Sequence, residues 1–161
     1  MSPDEAAGQG LITQLAAENA AWQALLNLMT QEEQVLVDGE ADRLEPLNAS
    51  KLAQLQTLSN LARARHDALL AAGHSADHDG MEAWLKKHGN QEHQTRWQQL
   101  CEMELQAQAI NQRIGKLIEM RLTSTRQALN VLIHAATNQG GLYDQAGQAV
   151  TAHPGKPLTA A

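Results

Sequence analysis

Residues 110–132 read INQRIGKLIEMRLTSTRQALNVL. Ile110, Ile114, Leu117, Ile118, Leu122, Leu129 and Leu132 recur at three- and four-residue intervals, the spacing that lines one stripe of an α-helix. The stripe extends back through Ala107, Met103, Leu100 and Trp97 and forward to Ile133. It predicts one helix from about His93 to about Asn138, roughly 65 Å long at 1.5 Å per residue. Gly115 sits inside it at a cost of up to ~1 kcal/mol in helix propensity. The expected compensation is the close approach of a neighbouring helix.

Two earlier runs repeat the pattern. Leu11, Leu15, Trp22, Leu25, Met29 and Leu36 form a stripe that Glu18, Glu32 and Glu33 interrupt or flank, and Asp38-Gly39 marks its stop. Leu44, Leu47, Leu55, Leu58, Ala62 and Leu69 form the next, with Asp42 as the expected N-cap. Pro46 is compatible only with a first helical turn, and Ala72-Gly73 ends the run. Between this run and the third lies GHSADHDGMEAWLKKHG, residues 73–89, which reads as a turn and a short helix over Met81 to Lys87, closed by Gly89. A tight turn and a small helical insertion connect the long helices, so consecutive ones should run antiparallel. The fold expected is all-α: an elongated antiparallel bundle of three long helices plus a short helical insertion, with a long C-terminal helix. A bundle domain over 1–137 would be followed by a flexible tail over 138–161, where Gly, Ala, Thr and Pro take over.

Composition agrees. The 161 residues include 23 Leu and 27 Ala but only nine Ile and Val together, and aromatic residues make up 2%. Leu and Ala lose little side-chain freedom in a helix, whereas sheets recruit β-branched and aromatic residues. Eighteen acidic residues against twelve basic ones give a formal charge of −6. With no cluster of Lys and Arg to track phosphates, nucleic acid is not an expected partner. The N-terminal MSPDEAAGQG lacks the basic and apolar regions of a secretory signal, and no apolar run approaches the ~20 residues that span a bilayer. A cytoplasmic location is expected, without membrane insertion.

Little in the chain points to catalysis. Cys101, the single cysteine, lies beside Leu100 on an apolar face and reads as a small buried hydrophobe. His74 and His78 in GHSADHD, residues 73–79, have helical ligand spacing, but Gly73 and Ser75 read as a turn, so they are expected to be solvated loop histidines. No nucleophile with a base partner and no Gly-rich phosphate loop emerges, so neither an enzyme nor a bound cofactor or metal is expected. The chain offers instead an acidic helical binding surface. Two kinds of protein fit that description: an export or assembly chaperone holding a partner's helices, and a structural coiled-coil adaptor or the bundle module of a sensor. A sensor bundle is normally joined to a membrane span or a second domain, and an adaptor needs matching interfaces at both ends.

Several local patterns resemble one family when taken in order. LNASKLAQLQTLSNLARARHDAL, residues 47–69, followed by DGMEAWL, residues 79–85, is similar to the central region of the FlgN family of bacterial flagellar export chaperones. The 110–132 stretch resembles the family's last helix, with Asn111, Gly115, Ile118 and Gln127-Ala128-Leu129 in matching places. GLYDQAGQ, residues 141–148, resembles its terminal Leu-Tyr-x-x-x-Gly-Gln segment, with Asp144 where the family often has glycine. The resemblance implies a non-enzymatic chaperone that covers the C-terminal helical ends of the hook-filament junction proteins FlgK and FlgL. It would prevent their premature association and deliver them to the type III export apparatus. It also implies that the tyrosine of the terminal segment, here Tyr143 beside Leu142, docks on the cytoplasmic domain of the export-gate protein FlhA. Apolar anchors at helical spacing suit a helix-in-groove contact, and Ile118, Leu122, Leu129, Leu132 and Ile133 are the expected substrate-binding positions. The competing use of the same residues is to complete the core or a homo-oligomer seam.

Overall fold

The first helix is built from its termini inward. Ser2 caps it reciprocally: its hydroxyl accepts from the Glu5 N–H at 3.3 Å while its own N–H donates to the Glu5 carboxylate at 2.8 Å, and Pro3 supplies the preset φ of a first turn. Helix α1 then runs Pro3–Asp38 and stops at Gly39, whose φ of 76° is the left-handed conformation that glycine adopts without strain. A 3-10 turn, Ala41–Arg43, leads into α2, Leu44–Ala71. Asp42 lies within that turn and does not cap α2, whose flanking residue Arg43 makes no side-chain capping bond. The turn already folds the chain into helical geometry, leaving no extended residue from which a side chain could cap.

Helix α3 covers His78–His88 and is held at its start by Asp77, whose carboxylate accepts from the Gly80 N–H at 2.8 Å and the Ser75 hydroxyl at 2.6 Å. Those bonds, Ser75 first, hold the Asp77 carboxyl below its ordinary range. Glycine is required at position 80, where a Cβ would fall 1.8 Å from the Ser75 carbonyl oxygen. Helix α4 covers Gln91–Asn138. The computed structural model describes residues 2–138, so Leu142 and Tyr143 lie outside the described residues. Among those residues every regular element is helical, and the three long helices and short insertion follow the all-α order that the periodicity predicts.

The chain divides into two compact units, Met1–Leu117 and Ile118–Ala161, with the division falling inside α4. In the first unit, hydrogen bonds and ion pairs fix helix directions. The Gln14 amide donates to the Leu61 carbonyl at 2.9 Å, the Gln54 amide to the Ala21 carbonyl at 3.0 Å, and Lys51 pairs with Glu32 at 2.9 Å. Rising numbers on α1 thus meet falling numbers on α2, and the two run antiparallel. Asn19 reaches the Arg96 carbonyl and Glu33 pairs with Arg113, so α4 runs parallel to α1.

Two apolar clusters fill this unit. One joins Leu11 and Leu15 of α1, Leu69 of α2, Met81, Trp84 and Leu85 of α3, and Trp97 and Leu100 of α4. The other joins Leu25, Leu26, Met29 and Leu36 of α1 with Leu58 of α2 and Ala107 and Ile114 of α4. Between them in chain order stands a buried ion pair. Arg65 Nε donates to both carboxylate oxygens of Glu18, at 3.1 and 2.8 Å, and its guanidinium lies 5.1 Å from the centroid of the Trp97 ring. Burial pushes the Glu18 carboxyl up, and Arg65 offsets only part of that rise.

The glutamates that break the α1 stripe are therefore structural. Glu18, Glu32 and Glu33 each reach a cation on another helix. The inward face of α2 is correspondingly more polar than its leucine spacing suggests. Lys51, Gln54 and Arg65 point toward α1, while Leu55, placed on the apolar stripe by periodicity, is exposed. Gly115 also departs from expectation, since a Cβ there would meet no atom within 4 Å among the described residues.

Two measurements test these points. Removing one partner of a buried pair strands the other charge, so Glu18→Ala should lose about 3–5 kcal/mol in denaturant unfolding, whereas Glu18→Met combined with Arg65→Met should come close to neutral. A small loss in the single variant would show that the pair is hydrated. Gly115→Ala should raise stability by about 0.5–1 kcal/mol through helix propensity alone; a loss would show that an unseen surface packs against that glycine.

Candidate functional site

The second unit contains what the core of the first leaves over. Ile114 is the last buried residue of α4 and Leu117 is half-buried; every described residue from Ile118 to Asn138 is exposed. Exposed polar helix is ordinary, but this stretch carries seven large apolar side chains in the open: Ile118, Met120, Leu122, Leu129, Val131, Leu132 and Ile133. Their exposures run from 43% at Ile118 to 67% at Met120 and Val131.

At 100° per residue, Ile118, Leu122, Leu129, Leu132 and Ile133 fall within an arc of about 100°, the width of a core-facing stripe on an amphipathic helix. Met120 and Val131 lie on the opposite side. The structure thus brings all five expected substrate-binding positions onto one face of the second unit and leaves them uncovered among the described residues. They are not part of the buried core. An uncovered apolar stripe of this size is the usual mark of an interaction surface.

Leu, Met, Arg, Gln and Ala favour helix, but Thr123, Ser124 and Thr125 stand together in the middle of this stretch. Thr137 bonds back to the Ile133 carbonyl at 2.8 Å, a local contact that adds no tertiary support.

A second place in the first unit brings reactive groups together. Cys101 Sγ is 3.7 Å from His78 Nδ1, and His78 Nε2 is 2.9 Å from Glu82 Oε1. The order cysteine, histidine, carboxylate imitates a nucleophilic triad, but the chemistry is wrong for one. Burial pushes the Cys101 thiol up, with Glu104 adding to the effect, so the thiolate that would attack is disfavoured.

His78 is solvent-exposed, as expected, but it lies on a helix rather than in a loop. It opens α3, its ring lies 5.2 Å from that of Trp97, and it bonds to Glu82 one turn on. The signal was present in the sequence as His78 and Glu82 at i and i+4, with Asp77 as a cap. Among the described residues no three His, Cys, Asp or Glu side chains converge on a metal position. Beside this cluster α3 and α4 border an open cavity of about 390 Å³, lined by Asp79, Glu82, Lys86, Gln94 and Trp97 among others. The buried Trp97 Nε1 has no hydrogen-bond partner among the described residues. No helix among the described residues is long and apolar enough to cross a membrane.

If the stripe is free, polar substitution within it should leave the fold untouched. Leu129→Gln with Leu132→Gln should change unfolding stability by no more than about 0.5 kcal/mol, against about 2–5 kcal/mol for Leu100→Ala in the core. Comparable losses in the two proteins would mean that part of the chain covers the stripe.

Comparison with known proteins agrees with this geometry. The family model described as FlgN protein matches residues 1–151, nearly the whole chain. No curated protein and no solved structure matches. The chain belongs to the FlgN family, a family of flagellar export chaperones rather than of enzymes.

Proposed function

We propose that this member of the FlgN family is a cytoplasmic chaperone for the hook-filament junction proteins FlgK and FlgL, and that it delivers them to the flagellar type III export gate. The observation that carries the reading is the uncovered stripe of Ile118, Leu122, Leu129, Leu132 and Ile133. A chaperone for helical, aggregation-prone ends must present apolar area that its own core does not use. A single exposed helix face does this with anchors at i, i+4 and i+7, and the incoming helix supplies the complementary ridge.

In this reading the bundle domain, 1–137, holds the substrate, and the tail, 138–161, carries the contact with the gate. Leu142 and Tyr143 would dock on the cytoplasmic domain of FlhA. A tyrosine brings a large ring and one polar tip at small rotamer cost, which suits an anchor in a preformed pocket. Gly140, Gly141 and Gly147 around it let the backbone take the conformation that such a pocket requires. The chaperone acts by binding and handing over, with no cofactor and no covalent step.

Two variants separate the functions. Truncation after Arg121 removes most of the stripe and all of the tail, so calorimetry should show no capture of FlgK or FlgL C-terminal segments while the first unit keeps its helical signal. Tyr143→Ala should leave that capture and the melting temperature unchanged but weaken binding to the FlhA cytoplasmic domain by about tenfold or more, the usual cost of truncating an aromatic hot spot. Undiminished capture by the truncated chain would move the substrate site elsewhere, and wild-type FlhA affinity in Tyr143→Ala would end the docking role.

A further inference from the structure

Gly115 is not accounted for by its own chain. Two demands keep a glycine inside a helix: a positive φ, or a neighbour too close for a Cβ. The described glycines at positive φ are Gly39 and Gly73, so the backbone makes no such demand at 115. A Cβ built there meets no atom within 4 Å among the described residues. Every residue except proline favours a helix more than glycine does, so the position carries a cost with no return inside the chain.

Its place on α4 indicates where the return lies. Eighteen residues make five full turns, so Trp97, Gly115 and Ile133 fall on one line along the helix. Trp97 is buried on that line, and Ile133 belongs to the exposed stripe. At 100° per residue Leu122 and Ile118 lie about 20° and 60° to one side of it, and Glu119 about 40° to the other. Gly115 is therefore bare, exposed backbone at a point where the packing face of α4 continues. Gly10 is open too, but its neighbours three and four residues away are Ala6, Ala7, Thr13 and Gln14, and no face of large apolar groups surrounds it.

We propose that Gly115 is a notch in the capture surface, in which one large apolar side chain of the bound helix seats and so fixes its register. A ridge laid along leucine and isoleucine anchors can shift by a turn and bury similar area. A missing Cβ breaks that equivalence, because a bulky knob fits against bare backbone at one place only and overpacks elsewhere. Interaxial distance depends on the side chains at the contact, so the helices approach most closely at the glycine. A second copy of this chain does not suit the notch. A parallel two-fold pair would set Gly115 against itself and leave the space empty. An antiparallel pair would put the two Glu119 carboxylates on the same side of the crossing, a like-charge contact.

The inference deepens the capture role proposed above and rests on it for the occupant, the C-terminal helices of FlgK and FlgL. Calorimetry on the full chain measures binding of those segments and of a helical leucine-ridge peptide of roughly twenty residues. Leucine is a far better helix former than glycine and the space at 115 is open, so Gly115→Leu should keep the wild-type circular dichroism and melt no lower. Its capture of the FlgK and FlgL segments should nevertheless weaken about tenfold or more, the size of an overpacking clash. Gly115→Ala should fall between the two. Thr123→Ala favours the same helix from a point about 130° from the middle of the stripe, and it should not weaken capture. Stability and capture moving in opposite directions at one position is a result that a purely structural glycine cannot give. Wild-type capture by Gly115→Leu, an equal loss in Thr123→Ala, or a lower melting temperature for Gly115→Leu would overturn the proposal. So would sedimentation showing that Gly115→Leu breaks a dimer of the free chain and leaves capture intact. If the wild-type chain binds the peptide but not FlgK or FlgL, and Gly115→Leu weakens the peptide, the notch stands and only the identity of the cargo falls. If the wild-type chain binds neither, both fall.

Discussion

The contact on which the bundle depends is the one between Glu18, Arg65 and Trp97. It joins α1, α2 and α4, it is buried, and it stands between two apolar clusters made mainly of leucine. Taking a carboxylate and a guanidinium out of water costs several kcal/mol per ion, and their attraction repays this only with good geometry. Here the guanidinium donates to both carboxylate oxygens and lies near the indole ring, yet burial outweighs Arg65 and holds the Glu18 carboxyl up, so the repayment is partial. What the arrangement adds is uniqueness. Helices striped with Leu and Ala can slide past one another by a turn and still bury similar area. A charged pair with one workable geometry makes every other register expensive. Lys51 with Glu32 and Arg113 with Glu33 tie the far end of α1 in the same sense, although the exposed Arg113 pair is worth less.

That constraint also explains where the core ends. Arg113 of α4 pairs with Glu33, and the last buried side chain of α4 among the described residues is Ile114. Across this point the apolar periodicity of α4 does not change. Ala107 and Ile114 belong to the same stripe as Leu122 and Leu129, so periodicity alone predicts one continuous face. It identifies the face but carries no information about what covers it, because a helix that packs in its own core and one that waits for a partner need the same pattern. What separates the two segments is burial, present at Ala107 and Ile114 and lost from Ile118 onward among the described residues, a tertiary property.

Other features were legible to differing degrees for reasons of the same kind. Gly39 and Gly73 were clear as stops, since only glycine sits at positive φ there without cost. The capping box Ser2-Pro3-Asp4-Glu5 was equally available, but it precedes the apolar spacing, which begins only at Leu11. The polar inward face of α2 could not have been read locally. Lys51, Gln54 and Arg65 look like solvated residues until Glu32, the Ala21 carbonyl and Glu18 are placed opposite them. Gly115 misled for the opposite reason, because its cost in a helix is local and certain while the neighbour assumed to justify it is absent among the described residues. Of the site residues expected from the sequence, the five on α4 fall together on one face, and Leu142 and Tyr143 lie outside the described residues.

The division of labour between the units follows from these energetics. In the first unit α4 is held by side chains of three other helices. From Ile118 onward its described residues are exposed, and an isolated helix of about twenty residues is marginal in water. Thr123, Ser124 and Thr125 weaken it further. Such a segment lies at the low-stability end of the molecule, and any apolar ridge laid along it supplies the burial that it lacks. Binding and helix stabilisation are then one event, with the cost of ordering paid as the partner arrives. A well-packed stripe would bind nothing, and a disordered one would lose its anchors' alignment. A helix that forms weakly and keeps its anchors on one face lies between those limits, which is what a surface that must both hold a helix and later release it requires.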